Sequence, residues 1–299
     1  MVERVAYDEF SYFHENAEEF GLPYDGPPAV RREFVEVAPG RRLSALVWGE
    51  GPPELVLVHG GAQNAHTWDT VAMALGRPLV AIDLPGHGHS DGGINGSLNV
   101  RANATDVATL VASLAPTPIP VVGMSLGGIT ALALTDTHPE VVERLVLVDV
   151  TPGVDGDKAQ AIVAFIDGPE TFPSFDELLA RTIEFNPTRT ESSLRRGILH
   201  NAVQHEDGSW VWRYRRFREE GEVGSHPDFT DQWEAVGRVA VPLMLVRGMR
   251  PQSVVDDADE AELLRRQPAA RVEHVQEAGH SVQGDTPVEL AALLDDFIR

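Results

Sequence analysis

The chain has 299 residues, 42% hydrophobic, 23% charged and 7% aromatic, which excludes a disordered or fibrous polypeptide and allows one large domain or a domain with an insertion. Forty-six acidic residues against 24 basic ones give a net charge of −22, a field that repels phosphate backbones and anionic bilayers, so neither nucleic acid nor a membrane is an expected partner. The absence of cysteine removes disulfides, thiolate metal sites and cysteine nucleophiles together.

In chain order, residues 1–30 read as an extra helix followed by a Pro/Gly arm, "GLPYDGPPAV". This acidic start lacks the basic-then-apolar order of a secretory signal, and no apolar run approaches the roughly 20 residues that span a bilayer, so the cytoplasm is the expected compartment. "RREFVEV" (31–37) and "LSALVWG" (43–49) flank a Pro-Gly turn and predict an antiparallel pair. The runs at 54–60, 79–86, 119–125, 144–150 and 241–248 are apolar without alternation and end in polar residues or glycine, the pattern of strands buried on both faces. Helical patterns lie between them ("HTWDTVAMALG", "NVRANATDVATLVASLA", "GGITALALTDTHPE"), and this alternation predicts a parallel sheet covered by helices.

The rhythm breaks over 153–238, where "SFDELLARTIEF" and "ESSLRRGILHNAV" are helical in pattern and no buried-strand run occurs. This stretch is expected to form a helical cap, between core segments 31–152 and 239–299 and after the extension 1–30. The single dense basic stretch, "RYRRFR" (213–218), precedes acidic "EEGE" and reads as a solvated helix face. The tail supplies a helix ("DDADEAELLRRQP"), a strand ("ARVEHVQE") and a closing amphipathic helix, "PVELAALLDDFIR".

"GMSLG" (123–127) places Ser125 between an apolar strand and a helical run, the context in which G-x-S-x-G forms a sharp turn with an exposed nucleophile. Gly123 and Gly127 let strand and helix approach. Upstream, "VLVHGGAQN" ends a strand in His-Gly-Gly, and two converging amides are what a developing oxyanion needs. The expected donors are the amides of Gly61 and Leu126.

Taken together, "HGG", "DLPGHGHSD", "GMSLGG" and "AGHS", in this order and spacing, resemble the α/β-hydrolase superfamily over 31–152 and 239–299. The resemblance implies an α/β fold with an eight-stranded, mostly parallel sheet, a cap inserted after the sixth strand, and a Ser–acid–His triad in that order. It places the base at His280, in "EAGHSVQGD". His59 is expected to fix its loop, His87 and His89 to shape the edge of the site without holding a metal, and His138 to end a helix. The acid departs from the common family pattern, because the loop after the penultimate strand, "RGMRPQSVVDDAD", has no acidic residue near its glycine. One branch, which includes the haloalkane dehalogenases, takes its acid from the end of the sixth strand, which here is Asp149. Asp149 is therefore the expected acid, with Asp256 and Asp257 as the alternatives.

The resulting expectation is a cofactor-independent serine hydrolase of an ester, lactone or related acyl compound. Amide or C–C bond hydrolysis on the same triad, and a receptor-like binder with little turnover, are the alternatives. A serine at 125 argues against dehalogenase or epoxide-hydrolase chemistry, which needs a carboxylate nucleophile there. Met124 and Trp68 are candidates for the acyl-pocket wall. Trp210 and Trp212, with Tyr214 and Phe165, are candidates either for a pocket lining or for the core of the cap. The expected partner is a small-molecule substrate, a homodimer is left open, and neither metal nor cofactor is expected.

Overall fold

The computed structural model describes residues 4–92, 99–154, 158–187, 189–214 and 228–299. β1 (Val30–Ala38) and β2 (Arg41–Trp48) pair antiparallel around the Pro39-Gly40 turn, where Gly40 takes a positive φ. β3 (Val56–Val58), β4 (Leu79–Ile82), β5 (Ile119–Met124) and β6 (Val142–Val148) follow, with α2 (Asp69–Leu75), α3 (Val100–Leu114) and α4 (Leu126–Thr137) between them. After the intervening segment, β10 (Leu243–Gly248) and β11 (Arg271–Val275) complete one sheet in the order β1-β2-β4-β3-β5-β6-β10-β11. Its pairs are parallel except β1–β2 and β2–β4.

Why the central strands read as unbroken apolar runs is visible in their packing. Along β3 to β6, Val56, Val58, Val80, Ile82, Val121, Leu145 and Leu147 join one core cluster, together with α3 and α4. Their neighbours Leu57, Leu79, Ala81, Val122, Met124, Val146 and Val148 join the other, with α2 and the closing helix α11 (Pro287–Ile298). Side chains alternate between faces, but both faces are dry, so neither phase tolerates a polar residue.

α4 decides where the site can be. It is buried from Leu126 through Thr135, and it lies so close to the sheet that a Cβ at Gly127 would collide with the carbonyl oxygens of Val58 and His59. A Cβ at Gly123 would collide with the Gly127 carbonyl in turn. Glycine at both positions is a packing requirement across β3, β5 and α4.

The extension carries α1 (Phe13–Phe20), whose Phe13 is buried against Trp48 in an edge-on contact, ring centroids 5.1 Å apart. Glu15 and Glu19 of α1 pair with Arg195 and Arg196 of α7 (Glu191–Asn201), so the extension ties the core to the segment over it.

That segment, expected as a mostly helical cap without strands, also holds β-structure. Beside α5 (Gln160–Ile166), α6 (Phe175–Phe185) and α7 it contains a three-stranded antiparallel sheet of β7 (Thr171–Phe172), β9 (Trp210–Trp212) and β8 (Ala202–Gln204). Strands of two or three residues are shorter than the window over which alternation can be read. Trp210 is buried in this segment's own cluster with Phe172, Leu178 and Ile198, and so packs rather than lining a pocket. Of the basic stretch, Arg213 and Tyr214 directly follow β9 and are not helical, Tyr214 is buried, and 215–218 lie outside the described residues. Among the described residues no helix is long and apolar enough to cross a membrane.

Gly127→Ala should lower stability by at least about 1–3 kcal/mol, the usual cost of overpacking, because its clash is with backbone that cannot rotate away. Urea unfolding checks this; a midpoint equal to that of the wild type would show that α4 has room to shift.

Candidate active site

Ser125 stands between β5 and α4 with φ 51° and ψ −123°. Its carbonyl accepts the first helical bonds, from Gly128 N at 2.8 Å and Ile129 N at 3.1 Å, yet its hydroxyl makes no capping bond. A serine kept only to start a helix would use that oxygen on an N2 or N3 amide, from an extended backbone. Here the left-handed conformation turns the side chain away from the helix. Among the described residues three non-glycine positions have positive φ, namely Ala62, Ser125 and Asp149, and all three belong to this site. Such conformations cost roughly 1–3 kcal/mol each and persist where surrounding structure over-determines them.

The His-Gly-Gly loop is held from behind. His59 is buried; its Nδ1–H donates to Gly60 O at 2.7 Å, and its Nε2 accepts from Leu84 N at 3.0 Å. His87 accepts the Ala62 amide at 3.1 Å and donates to Pro85 O at 3.0 Å, while Asn201 of α7 donates to the Ala62 carbonyl at 2.6 Å. Burial pushes both imidazoles toward the neutral form, His87 to about 3. With both nitrogens engaged, His87 is unavailable to a metal, and it fixes the strained Ala62. A Cβ at Gly60 would stand 2.5 Å from Met124 Sδ and 3.1 Å from Ser125 Cβ, so this loop and the elbow are in contact. Among the described residues the amides of Gly61 and Leu126 have no protein acceptor.

The expected acid and base are brought together across 131 residues. His280 Nδ1 lies 2.9 Å from Asp149 Oδ2, and since a carboxylate only accepts, Nδ1 carries the proton and Nε2 is left as an acceptor. Asp149 is fully buried at the end of β6. Its carboxylate accepts three further bonds, from Gly248 N at 2.9 Å, Ser253 Oγ at 2.6 Å and Val254 N at 3.1 Å. All three donors come from the loop that lacks an acid of its own. Sequence reasoning gives Ser253 no role beyond being one of the non-acidic residues of that loop; the signal for it is the same missing acid, read from the donor's side. Asp256 instead caps α9 (Asp257–Arg266) through a capping box with Asp259 and pairs with Lys158, while exposed Asp257 pairs with Arg247.

Ser125 and His280 line one cavity of about 400 Å³, together with Gly60, Gly61 and Met124. Trp68 corrects an expectation: it is fully buried in the core cluster with Leu57, Val71 and Leu79 and is not among the residues that line this cavity. Trp212 meets Phe165 edge-on at 5.7 Å, and both line an adjoining polar cavity of about 200 Å³.

That second cavity borders a buried cluster of His66, Asp69 and His200, which could be taken for a metal site. The two rings stack at 3.8 Å and 12°, so their in-plane lone pairs run parallel and cannot converge at about 2.0–2.1 Å on one ion. Arg32 also stands 3.4 Å from His66 Nε2. The arrangement is an ion pair: His66 Nδ1 donates to Asp69 at 2.9 Å. Burial lowers the His66 pKa, but Asp69 and Glu9 outweigh it and raise it to about 9.

Residues 55–293 match the model of the alpha/beta hydrolase family, and the chain belongs to that family. It is 43% identical over 300 residues to the esterase Rv0045c of Mycobacterium tuberculosis, spanning 98% of this chain and 96% of that one. A solved structure of that esterase superposes with a TM-score of 0.84 at 42% identity, covering 98% of this chain and 99% of the other. The sn-1-specific diacylglycerol lipase ABHD11 of Xenopus laevis is 27% identical over 83% of this chain and 80% of its own.

A histidine with a raised folded pKa adds stability that is complete below its unfolded value of about 6.5 and is lost as pH rises through the folded one. The stability difference between wild type and His66→Gln should therefore be widest below about pH 6.5 and shrink as pH passes about 9. Denaturation across that range checks this, and a constant difference would mean that His66 is neutral.

Proposed function

We propose that the protein hydrolyses carboxylic esters through an acyl-enzyme on Ser125. The observation that carries this reading is the buried Asp149–His280 hydrogen bond beside a cavity that also holds an uncapped serine in a left-handed turn. With its Nδ1 proton committed to Asp149, His280 takes the Ser125 proton on Nε2 as the hydroxyl oxygen attacks the ester carbonyl. The imidazolium that forms faces a carboxylate already oriented and desolvated. Charge accumulating on the carbonyl oxygen is met by the Gly61 and Leu126 amides, each such donor lowering the barrier by roughly 2.7–4 kcal/mol. His280 then protonates the leaving alcohol, and a water activated by the same nitrogen releases the acid and restores the serine. The esterase identity of the 43% relative supports the choice of an ester.

Ser125→Ala should reduce hydrolysis of a 4-nitrophenyl ester by about 10⁶-fold and abolish fluorophosphonate labelling while the fold survives. Steady release of many equivalents of nitrophenol per wild-type molecule is required; one equivalent followed by arrest would favour a receptor. Asp149→Asn should cost about 10⁴-fold in kcat, by presenting the wrong tautomer of His280. Asp256→Asn keeps a capping side chain and should stay within about twofold. Equal losses in the two variants would remove Asp149 from the role.

A further inference from the structure

The catalytic cavity has two kinds of wall. Ile162, Phe165 and Ile166 of α5 and Phe185 at the end of α6 make one side apolar. Arg189, in the connection from α6 to α7, lines this cavity and the adjoining polar one together. Its guanidinium packs on Gly284, where a Cβ would collide with it, and one nitrogen donates to Ser193 Oγ.

What Arg189 lacks among the described residues is a counter-ion. Four other arginines that turn inward each hold a carboxylate: Arg32 with Asp83, Arg41 with Asp106, Arg196 with Glu19 and Arg247 with Glu260. Among the described residues no carboxylate pairs with Arg189. Asp285 shares the cavity wall, but its Oδ2 accepts the Gly279 amide at 2.9 Å. Lys158, the other cation on the wall, is engaged with Asp256 at 2.9 Å and Asp259 at 2.7 Å. Burial pushes the Arg189 pKa down, while Asp285 and Glu19 only partly offset it from a distance. A half-buried guanidinium bonded to a hydroxyl but to no carboxylate among the described residues keeps an unbalanced charge, and a ligand that brings an anion relieves that cost.

We infer that Arg189 selects esters whose acyl chain ends in a free carboxylate, the methylenes lying along α5 and the ester carbonyl at Ser125. This rests on the hydrolase reading above. The net charge of −22 does not oppose it, because surface charges are screened within about 8–10 Å at physiological salt and the cavity wall is not.

The test compares the 4-nitrophenyl monoesters of adipic and suberic acid with 4-nitrophenyl hexanoate and octanoate, which match them in chain length but are neutral. The wild type should prefer the acidic member of each pair in kcat/KM. Arg189→Gln should cut that preference ratio by about 10–100-fold, the value of one charged hydrogen bond, and Arg189→Lys should restore part of it. Calorimetric binding of adipate, present in the wild type and lost in Arg189→Gln, gives a readout without turnover. Unchanged preference ratios in Arg189→Gln, or adipate binding that survives it, would overturn the assignment. Arg189-dependent adipate binding with no ester turned over would leave this site standing and remove the hydrolase reading instead.

Discussion

A carboxylate with no exposure to solvent sits at the centre of this molecule. Stripping an ionised group of water costs several kcal/mol unless its oxygens are bonded, so the fold around Asp149 has to supply donors. It supplies four, the amides of Gly248 and Val254, the hydroxyl of Ser253 and the ring of His280. Three of these come from the last residue of β10 and the loop that follows it, and the fourth from the loop after β11. Seating the carboxylate therefore fixes both loops against the end of β6. The β10 loop, where relatives of the common pattern carry an acid, serves here as the cradle for an acid on the neighbouring strand. Parallel pairing of β6 with β10, and of β10 with β11, makes this possible, since all three strands end on the same side of the sheet.

The same logic of a strained group held by its surroundings extends to the other half of the site. Ala62 stays at positive φ because His87 takes its amide and Asn201 takes its carbonyl. Ser125 stays at positive φ where α4 presses so closely on β3 and β5 that only glycine fits at 123 and 127. Behind His87 lies Asp83, fully buried, which accepts from Arg32, Ala65 N and His89 N and so ties "DLPGHGHSD" to β1 and to the loop before α2. Burial would raise the Asp83 pKa, but Arg32, His59 and these amides outweigh it and hold the carboxyl below its ordinary range. The sequence features that appear as motifs are thus the visible parts of a rigid support for a few backbone angles.

Asn201 belongs to α7, outside the sheet-forming part of the chain, and so does His200, which meets the Tyr7 hydroxyl of the N-terminal extension at 3.0 Å. The extension, the sheet and the segment over the cavity therefore meet around His66, Asp69 and His200. The N-terminal extension has a physical purpose that its composition does not disclose. It carries Glu9 to Arg32 and Glu15 to Arg195, closing ion pairs between parts of the chain more than 20 and more than 170 residues apart.

By itself the amino-acid sequence determined the eight strands to within a few residues, the elbow at Ser125 and the glycine loop. These features are local: strand burial is written as periodicity, and a tight strand-to-helix turn is written as glycines around a serine. The sequence favoured Asp149 as the acid over Asp256 and Asp257, but only the tertiary structure shows which carboxylate meets His280, because the donors that seat it come from distant loops. Tertiary structure also decided that Trp68 and Trp210 are core while Phe165 faces the cavities, and that Arg189 has no counter-ion among the described residues. Each of these depends on pairs far apart in the chain, and a local pattern carries no record of who arrives from elsewhere. The short strands of the capping segment escaped for a simpler reason: three residues are too few to show a period.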